Sequence, residues 1–486
     1  MVSEKELYAH LKQEFGFTRF KAGQKQVIQR LLAGGSTVAI LPTGTGKSLC
    51  YQFVGTYTNQ TVLIISPLLS LMQDQVEQLR LKGEKRVVAL NSNLSYAAKK
   101  QILANLHQYL FIYLAPEMLN NPVVLAALTD IDLGLLVVDE AHCISAWGPD
   151  FRPDYLQLGK LRQKLGFPVT LALTATATKR VTSDMMRSLK LGRKVKVIRN
   201  SVDRPNIFLA VEKSADTQEK NQRLIQLIRS LPAPGLIYFS SKKQCDQICA
   251  LLNAKSKLTV ASYHAGLPAG DRYAVQQQFL GGQIDLICAT SAFGMGINKP
   301  DIRYVIHYHL PENLESYLQE IGRAGRDGQQ SLALILYSEQ DRGLQQHLAL
   351  SALPTNAELE ILQNSPQLLE KSSQENQSAQ LVWRYMQMGV SFPQMSAVFS
   401  QRRTEKLQAL QQILAYVNTQ GCRRKFILRY FDETKTPQHF RKCCQLANES
   451  FDYQQLFDLA KTKNEPNIFA GGNDYEQILK NLFKTD

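Results

Sequence analysis

No stretch of this chain comes near the roughly 18 consecutive apolar residues that a membrane-crossing helix needs. A transmembrane span is therefore not expected. The N-terminal MVSEKELYAHLKQEF has the charged, amphipathic pattern of a helix and lacks the apolar core of a secretory signal. Cysteine is sparse. The eight are Cys50, Cys143, Cys245, Cys249, Cys288, Cys422, Cys443 and Cys444, most of them scattered through apolar segments. That scatter argues against a disulfide framework and for reduced thiols in a cytoplasmic protein. No repeat of solenoid spacing occurs. Acidic residues are short as well: 42 Asp and Glu face 56 Lys and Arg, a net charge of +14. With a pI near 9.3, a polyanionic partner is expected.

A length of 486 residues exceeds what one hydrophobic core serves, and three or so domains are expected. From 37 to 200, short apolar runs alternate with helical patterns: TVAIL (37–41), TVLIIS (61–66), VVAL (87–90), FIYLAP (111–116), LLVVDE (135–140), VTLALT (169–174) and VKVI (195–198). Runs without polar alternation are strands buried on both faces, and their alternation with helices implies a parallel sheet. The same grammar restarts after SVDRPN (201–206), with GLIYFS (235–240), LTVASY (258–263), IDLICAT (284–290) and RYVIHY (303–308). A linker is placed near 200–210. Beyond 340 the apolar runs give way to Gln-rich amphipathic helices such as TEKLQALQQILAYV (404–417), and residues 401–450 carry ten Lys/Arg against four Asp/Glu. The polar NSPQLLEKSSQENQSAQ (364–380) reads as a linker within this module. The expected fold is α/β: two tandem parallel-sheet lobes, 1–205 and 206–345, a small, mainly helical basic module, 346–450, and a short tail, 451–486.

LPTGTGKS (41–48) lies between a strand and a helix. Gly44 and Gly46 let backbone N–H groups close on phosphate oxygens, Lys47 can reach β- and γ-phosphates, and Ser48 can hold Mg²⁺. Thr43 and Thr45 complete the loop, and Leu41 stands where the strict pattern has glycine. LLVVDEAH (135–142) delivers Asp139 and Glu140 at the carboxyl end of a buried strand, where open α/β sheets bind ligands. Asp139 suits Mg²⁺, and Glu140 suits the base that activates a water. His142 closes the same motif. In the second lobe, QEIGRAGRDG (319–328) sets Arg323 and Arg326 three apart, on one face of an expected helix. Phosphoryl transfer needs positive charge at the γ-phosphate, so arginines from a second lobe would tie hydrolysis to lobe closure. Arg326 is the expected finger and Arg323 its supporting charge.

Beyond the acids runs CISAWGPDFRPDY (143–155), which holds one of the chain's two tryptophans. Trp147 and Phe151 offer faces on which any base can stack, and Arg152 can pair with phosphate. Paired acids for metal and water chemistry thus sit beside aromatics for bases.

Together these residues resemble the RecQ family of superfamily 2 DNA helicases, from about residue 15 to 450. FGFTRFKAGQKQVI resembles its adenine-binding motif, LPTGTGKSLCYQ motif I, SPLLSLMQDQV motif Ia, and DEAHCISAWGPDFRPDY motif II with the aromatic-rich loop. LTATAT resembles motif III, ATSAFGMGINKPDIRYVIHY motif V, QEIGRAGRDG motif VI, and GCRRKFILRYFDE the start of the zinc-binding module. The resemblance implies two RecA-like lobes, ATP and Mg²⁺, 3′→5′ movement on single-stranded DNA, separation of duplexes, and work in recombination or repair. It also implies that Phe17 and Lys21 sandwich adenine, that Gln24 bonds its edge, and that the aromatic loop signals DNA contact to the ATPase.

The chain departs from the family at Phe17 and Lys21, where many members have Tyr and Arg, and in two further places. Only 36 residues follow position 450, too few for a winged helix. The tail's FDYQQLFDLA and DYEQILKNLF read as two short amphipathic helices. Of the four zinc cysteines that the resemblance implies, Cys422, Cys443 and Cys444 are present and Ala447 takes the last place. His439 is the nearby imidazole. The expectation is three packed thiols without metal. An ATP-driven translocase or strand-annealing motor with poor unwinding is the alternative to a helicase, while a non-catalytic DNA scaffold does not account for Lys47, Glu140, Arg323 and Arg326.

Overall fold

In this computed structural model, residues 2–458 are described except 68, 92–93, 147–152, 295–298, 366–371, 373–375, 435–439, 441–442 and 448. The first sheet is built from β1 Thr37–Ile40, β2 Thr61–Ile65, β3 Val87–Leu90, β4 Phe111–Leu114, β5 Leu133–Val138, β6 Thr170–Thr174 and β7 Lys196–Arg199. Its order is β3-β4-β2-β5-β6-β1-β7, with every pairing parallel. The second sheet holds β8 Ile207–Lys213, β9 Gly235–Tyr238, β10 Val260–Tyr263, β11 Leu286–Ala289, β12 Tyr304–His307 and β13 Ser331–Tyr337, ordered β10-β11-β9-β12-β13-β8 and again all parallel. The expected α/β architecture is present.

Two strands depart from the sequence reading. β8 begins at Ile207, inside the expected linker, and β13 was not marked at all. The core of β13, LALIL, is leucine- and alanine-rich, and those residues favour helix when judged alone. Burial of all seven residues between β12 and β8 decides its state instead.

Side chains of β8 sort by the two-residue period of a strand. Ile207, Leu209 and Val211 join one core of the second lobe, while Phe208 and Ala210 join the other. Much of the first core comes from further along the chain. The helix Phe392–Val417 supplies Leu410, Ile413 and Tyr416, and the helix Arg423–Tyr430 supplies Ile427 and Leu428. Cys443 and Cys444 lie in the same core, and Leu209 pairs with Cys444 as an isolated parallel bridge. The chain then passes to the opposite face. Phe451 stacks on Phe208 with centroids 4.5 Å apart, and Tyr453 and Leu456 are buried there. The front half of the helical module has its own small core, with Leu353, Leu359, Val382, Tyr385, Met395 and Phe399.

The N-terminal helix Glu4–Phe15 is as expected. Ser3 and Glu6 form its capping box, and Leu7 and Leu11 are buried against the first lobe. Among the described residues no helix is long and apolar enough to cross a membrane.

Candidate nucleotide site between the lobes

The loop after β1 opens the helix Ser48–Thr58, whose buried Leu49, Cys50, Tyr51 and Phe53 anchor it in the core. Gly44 and Gly46 have φ of +80° and +70°, values that L side chains rarely adopt, so the loop curls with its amides inward. Gln24 braces it from behind. Its Nε2 donates to the carbonyls of Thr45 and Gly46 at 2.8 and 3.0 Å, and its Oε1 accepts from the Lys21 amide at 2.7 Å. Gln24 is 2% exposed, so its amide is engaged by the phosphate loop rather than turned to a base. The Lys21 ammonium donates to the Gly44 carbonyl at 2.9 Å, and Phe17 is half exposed at the cleft. Thr45 Oγ1 donates to Pro42 O at 2.7 Å.

β5 ends at Val138 and delivers Asp139 and Glu140 beside that loop. Lys47 Nζ lies 3.6 Å from Glu140 Oε1, and His142 Nδ1 lies 3.4 Å from Glu140 Oε2. His142 Nδ1 is also 2.9 Å from Thr174 Oγ1 at the end of β6, which joins the acid motif to LTATAT. Glu140 has φ +45°, a left-handed geometry uncommon outside glycine, fixed by a short bond from the Ala141 amide to Leu173 O at 2.7 Å. Burial pushes both carboxyls up. It prevails at Asp139, which rises to about 6 with the Glu140 charge adding to it. At Glu140 the Lys47 and His142 charges outweigh burial, so its carboxyl is lowered and stays ionised.

The second lobe supplies the facing wall. The helix Leu314–Ile321 ends before the two arginines, so Arg323 and Arg326 sit on a turn and not on the expected helix. Gly322 and Gly325, the latter at φ +55°, explain the early stop. A Cβ at Gly325 would come within 2.4 Å of Asn206, so the turn is pressed onto the segment that connects the lobes. Thr43 Oγ1 donates across the cleft to Gly322 O at 3.1 Å. The Arg326 side chain lies along Gly44, where a Cβ would meet its Cγ at 3.5 Å. Burial, with Arg323 and Arg204 nearby, lowers the Arg326 guanidinium to about 9. Phe17, Lys21, Thr43, Gly44, Gly46, Lys47, Ser48, Asp139, Glu140, Arg323 and Arg326 thus line one cleft of about 400 Å³.

Trp147, Phe151 and Arg152 lie outside the described residues, as do His439 and the second tail helix. Tyr155, from the same loop segment, is fully buried in the first lobe. Arg204 was missed. It sits in SVDRPN, noted only as a boundary, yet it donates to carbonyls of both lobes. A charged residue between two α/β repeats, just before a proline, was the available signal. Asp432 and Glu433 were also passed over. Asp432 accepts from the Lys179 amide at 2.7 Å and Glu433 from the Val202 amide at 2.7 Å, tying the helical module to the first lobe. Cys422 Sγ lies 3.6 Å from Cys443 Sγ and 3.5 Å from Cys444 Sγ, so the three thiols converge.

Three family patterns match along the chain: DEAD/DEAH box helicase over 21–185, helicase conserved C-terminal domain over 219–328, and RecQ zinc-binding over 368–446. The chain is 45% identical to the probable ATP-dependent DNA helicase RecS of Bacillus subtilis, over 97% of each. It is 34% identical to the ATP-dependent DNA helicase RecQ of B. subtilis, over 88% of this chain and 65% of that one. With the RecQ of Haemophilus influenzae it shares 38% identity over 70% of this chain and 54% of that one. The chain therefore spans less than two thirds of those two RecQ proteins. Among solved structures, the fold resembles Mycobacterium smegmatis helicase Lhr bound to ssDNA and AMP-PNP, with TM-score 0.57 at 19% identity over 84% of this chain and 57% of that one. It also resembles the DEAD-box helicase Mss116, with TM-score 0.59 at 16% identity over 84% of this chain and 90% of that one. With the cleft, the twin parallel sheets and these matches in place, the chain belongs to the RecQ family of ATP-dependent DNA helicases.

Proposed function

We propose that the cleft binds and hydrolyses ATP, and that its closing and opening drive 3′→5′ movement on single-stranded DNA and separation of duplexes, in recombination or repair. The observation that carries this reading is the convergence of Lys47, Asp139 and Glu140 from one lobe with Arg323 and Arg326 from the other on a single cleft. The working units are residues 1–205 and 206–345, with 346–450 as the basic helical module and 451–486 as its tail. With DNA as substrate, the cytoplasm is the place of work.

The residues divide the chemistry. Phe17 and Lys21 hold the base, and Gln24 keeps the phosphate loop in register. The loop amides from Thr43 to Ser48 and the Lys47 ammonium take the phosphates. Ser48 and Asp139 would hold Mg²⁺, which neutralises phosphate charge when bound. A buried carboxylate beside a buried acid is a fitting place for a divalent cation, because the cation offsets the desolvation that raises Asp139. Glu140 is ionised and close to Lys47, so it can take a proton from the attacking water once Lys47 turns to phosphate. Arg326 and Arg323 then meet the charge that develops on the γ-phosphoryl oxygens. Trp147, Phe151 and Arg152, a few residues beyond Glu140, link DNA contact to this base. Strand displacement on forked and 3′-tailed duplexes, with and without ATP, tests the reading. DNA-stimulated hydrolysis without displacement would favour the translocase or annealing motor instead.

Zinc fits the cysteine cluster at three corners. Sulfurs bound to one zinc at about 2.3 Å stand roughly 3.8 Å apart, close to the 3.5 and 3.6 Å separations here. We therefore read Cys422, Cys443 and Cys444 as a structural zinc set, against the packed-thiol expectation, with Ala447 offering no donor. Metal analysis of protein prepared without chelator should give one zinc per chain, and Ala447→Cys should make it harder to strip. Metal-free protein with an unchanged melting temperature would restore the packed-thiol reading.

A further inference from the structure

Arg204 stands on the segment between β7 and β8, outside every motif that the sequence pointed to. Its guanidinium faces four backbone carbonyls. Nη2 donates to Gly325 O at 2.7 Å and Ala324 O at 3.0 Å, while Nη1 lies 3.2 Å from Gly322 O and 3.5 Å from Thr43 O. Three of these carbonyls belong to the turn that carries Arg323 and Arg326, and the fourth belongs to the phosphate loop. The planar fork suits this arrangement, since an Arg presents five donors in fixed directions.

The fork is itself anchored. The Arg204 carbonyl accepts from Arg424 Nη1 at 2.9 Å, and Arg424 forms an ion pair with Asp203. Arg424 is 3% exposed and also donates to Ile207 O and to Cys443 Sγ at 3.3 Å. Asn206 adds a second hold, donating to Gly325 O and Gln329 O at 2.8 Å each. The connecting segment is thus fixed to the helical module on one side and to the arginine turn on the other.

We infer that Arg204 is a positioning residue for hydrolysis, setting the arginine turn against the phosphate loop so that Arg323 and Arg326 arrive at the γ-phosphate as the lobes close. The inference rests on the reading of those two arginines given above. The Thr43 hydroxyl, donating from the phosphate loop to Gly322 O at 3.1 Å, is a second link between the same two loops. A misplacement of about 1 Å at a reacting centre costs on the order of 10²-fold in rate. That sets the expected size of the effect.

Arg204→Gln and Arg204→Lys test it in the full chain. Both should lower kcat for DNA-stimulated hydrolysis by about 10²-fold while KM for ATP and affinity for ADP change little. Affinity for an ADP–fluoride mimic of the transferring phosphoryl group should fall in parallel with kcat. Arg204→Lys keeps the charge and most of the packing, so it remains informative if the Gln variant fails to fold. Normal kcat in the Lys variant would overturn the inference, because a point charge cannot serve four carbonyls. Arg326→Ala is the control. If it hydrolyses ATP normally, the reading of the arginines fails, whatever Arg204 does. If Arg326→Ala is severe and adding Arg204→Gln costs nothing further, the two act as one unit, as inferred; fully additive losses would show that Arg204 acts elsewhere.

Discussion

The two walls of the cleft are built on opposite principles. On the first lobe, charges of both signs meet: Lys47 and His142 flank Glu140, and Asp139 lies beside it. On the facing wall Arg323 and Arg326 bring positive charge to the cleft, and the carbonyls of their turn hold Arg204 beside them. Burial, then Arg323 and Arg204, lowers the Arg326 guanidinium, and Lys21 across the cleft is lowered by burial and then by Arg204 and Arg326. On the first wall Lys47 and His142 already balance Glu140, while Asp139 stays raised by burial and the Glu140 charge. The second is electrostatically incomplete, and a polyphosphate is the anion that relieves it. Binding energy from ATP is therefore available to pull the basic wall onto the acidic one.

Breaking the acidic wall should have the largest effect. Lys47→Ala should abolish ATP hydrolysis while DNA binding persists, and Glu140→Gln should retain ATP and stop turnover. Steady-state hydrolysis and filter binding check both, and near-normal turnover in either refutes the roles. On the basic wall, Arg326→Ala should cost ~10³–10⁵ in kcat and Arg323→Ala less. The reverse order would exchange their roles. Next comes the loop beyond the acids. Trp147→Ala should leave basal hydrolysis and most DNA affinity, which comes from spread basic contacts, and abolish stimulation by single-stranded DNA. Full stimulation in that variant would remove Trp147 from the coupling.

The smallest expected effect is on stability, and it separates the lobes by pH. Burial, with Lys220 nearby, lowers His309 to about 4, and its Nδ1 accepts from the Ser240 amide at 3.1 Å. His307, Glu312 and Glu320 line the same pocket. With the folded value depressed, the unfolded chain binds the extra proton first. Stability from this group is present above about pH 6.5 and lost as pH falls toward 4, by at most about 3 kcal/mol. His309→Gln should flatten the acid side of the melting-temperature profile. An unchanged profile would mean that other groups set it.

The acidic wall was legible because local rules make it. A glycine loop, a lysine and a strand-end acid pair each declare their geometry within a few residues. The basic wall was legible in composition but not in shape. Arg323 and Arg326 have helical spacing, yet the glycines at 322 and 325 and the carbonyl grip of Arg204 turn the backbone out of the helix. Contacts between residues more than a hundred apart carry no local signal. Gln24 teaches the same lesson, since the phosphate loop, distant in sequence, takes its amide. β13 escaped for the related reason that burial overrides the preference of a leucine-rich segment.

The way the chain closes over β8 has a consequence for synthesis. Phe208 and Leu209, at the start of the second lobe, pair along β13, but their remaining partners come late in the chain: Cys444 bridges Leu209, and Phe451 and Tyr453 pack on Phe208. A ribosome adding about 5–20 residues per second needs roughly ten seconds to a minute to travel between these points. The first lobe has its whole core within residues 7–198 and can fold as soon as it emerges. The second must wait with an open sheet edge, so nascent chains stalled before residue 444 should be the form that chaperones and proteases meet.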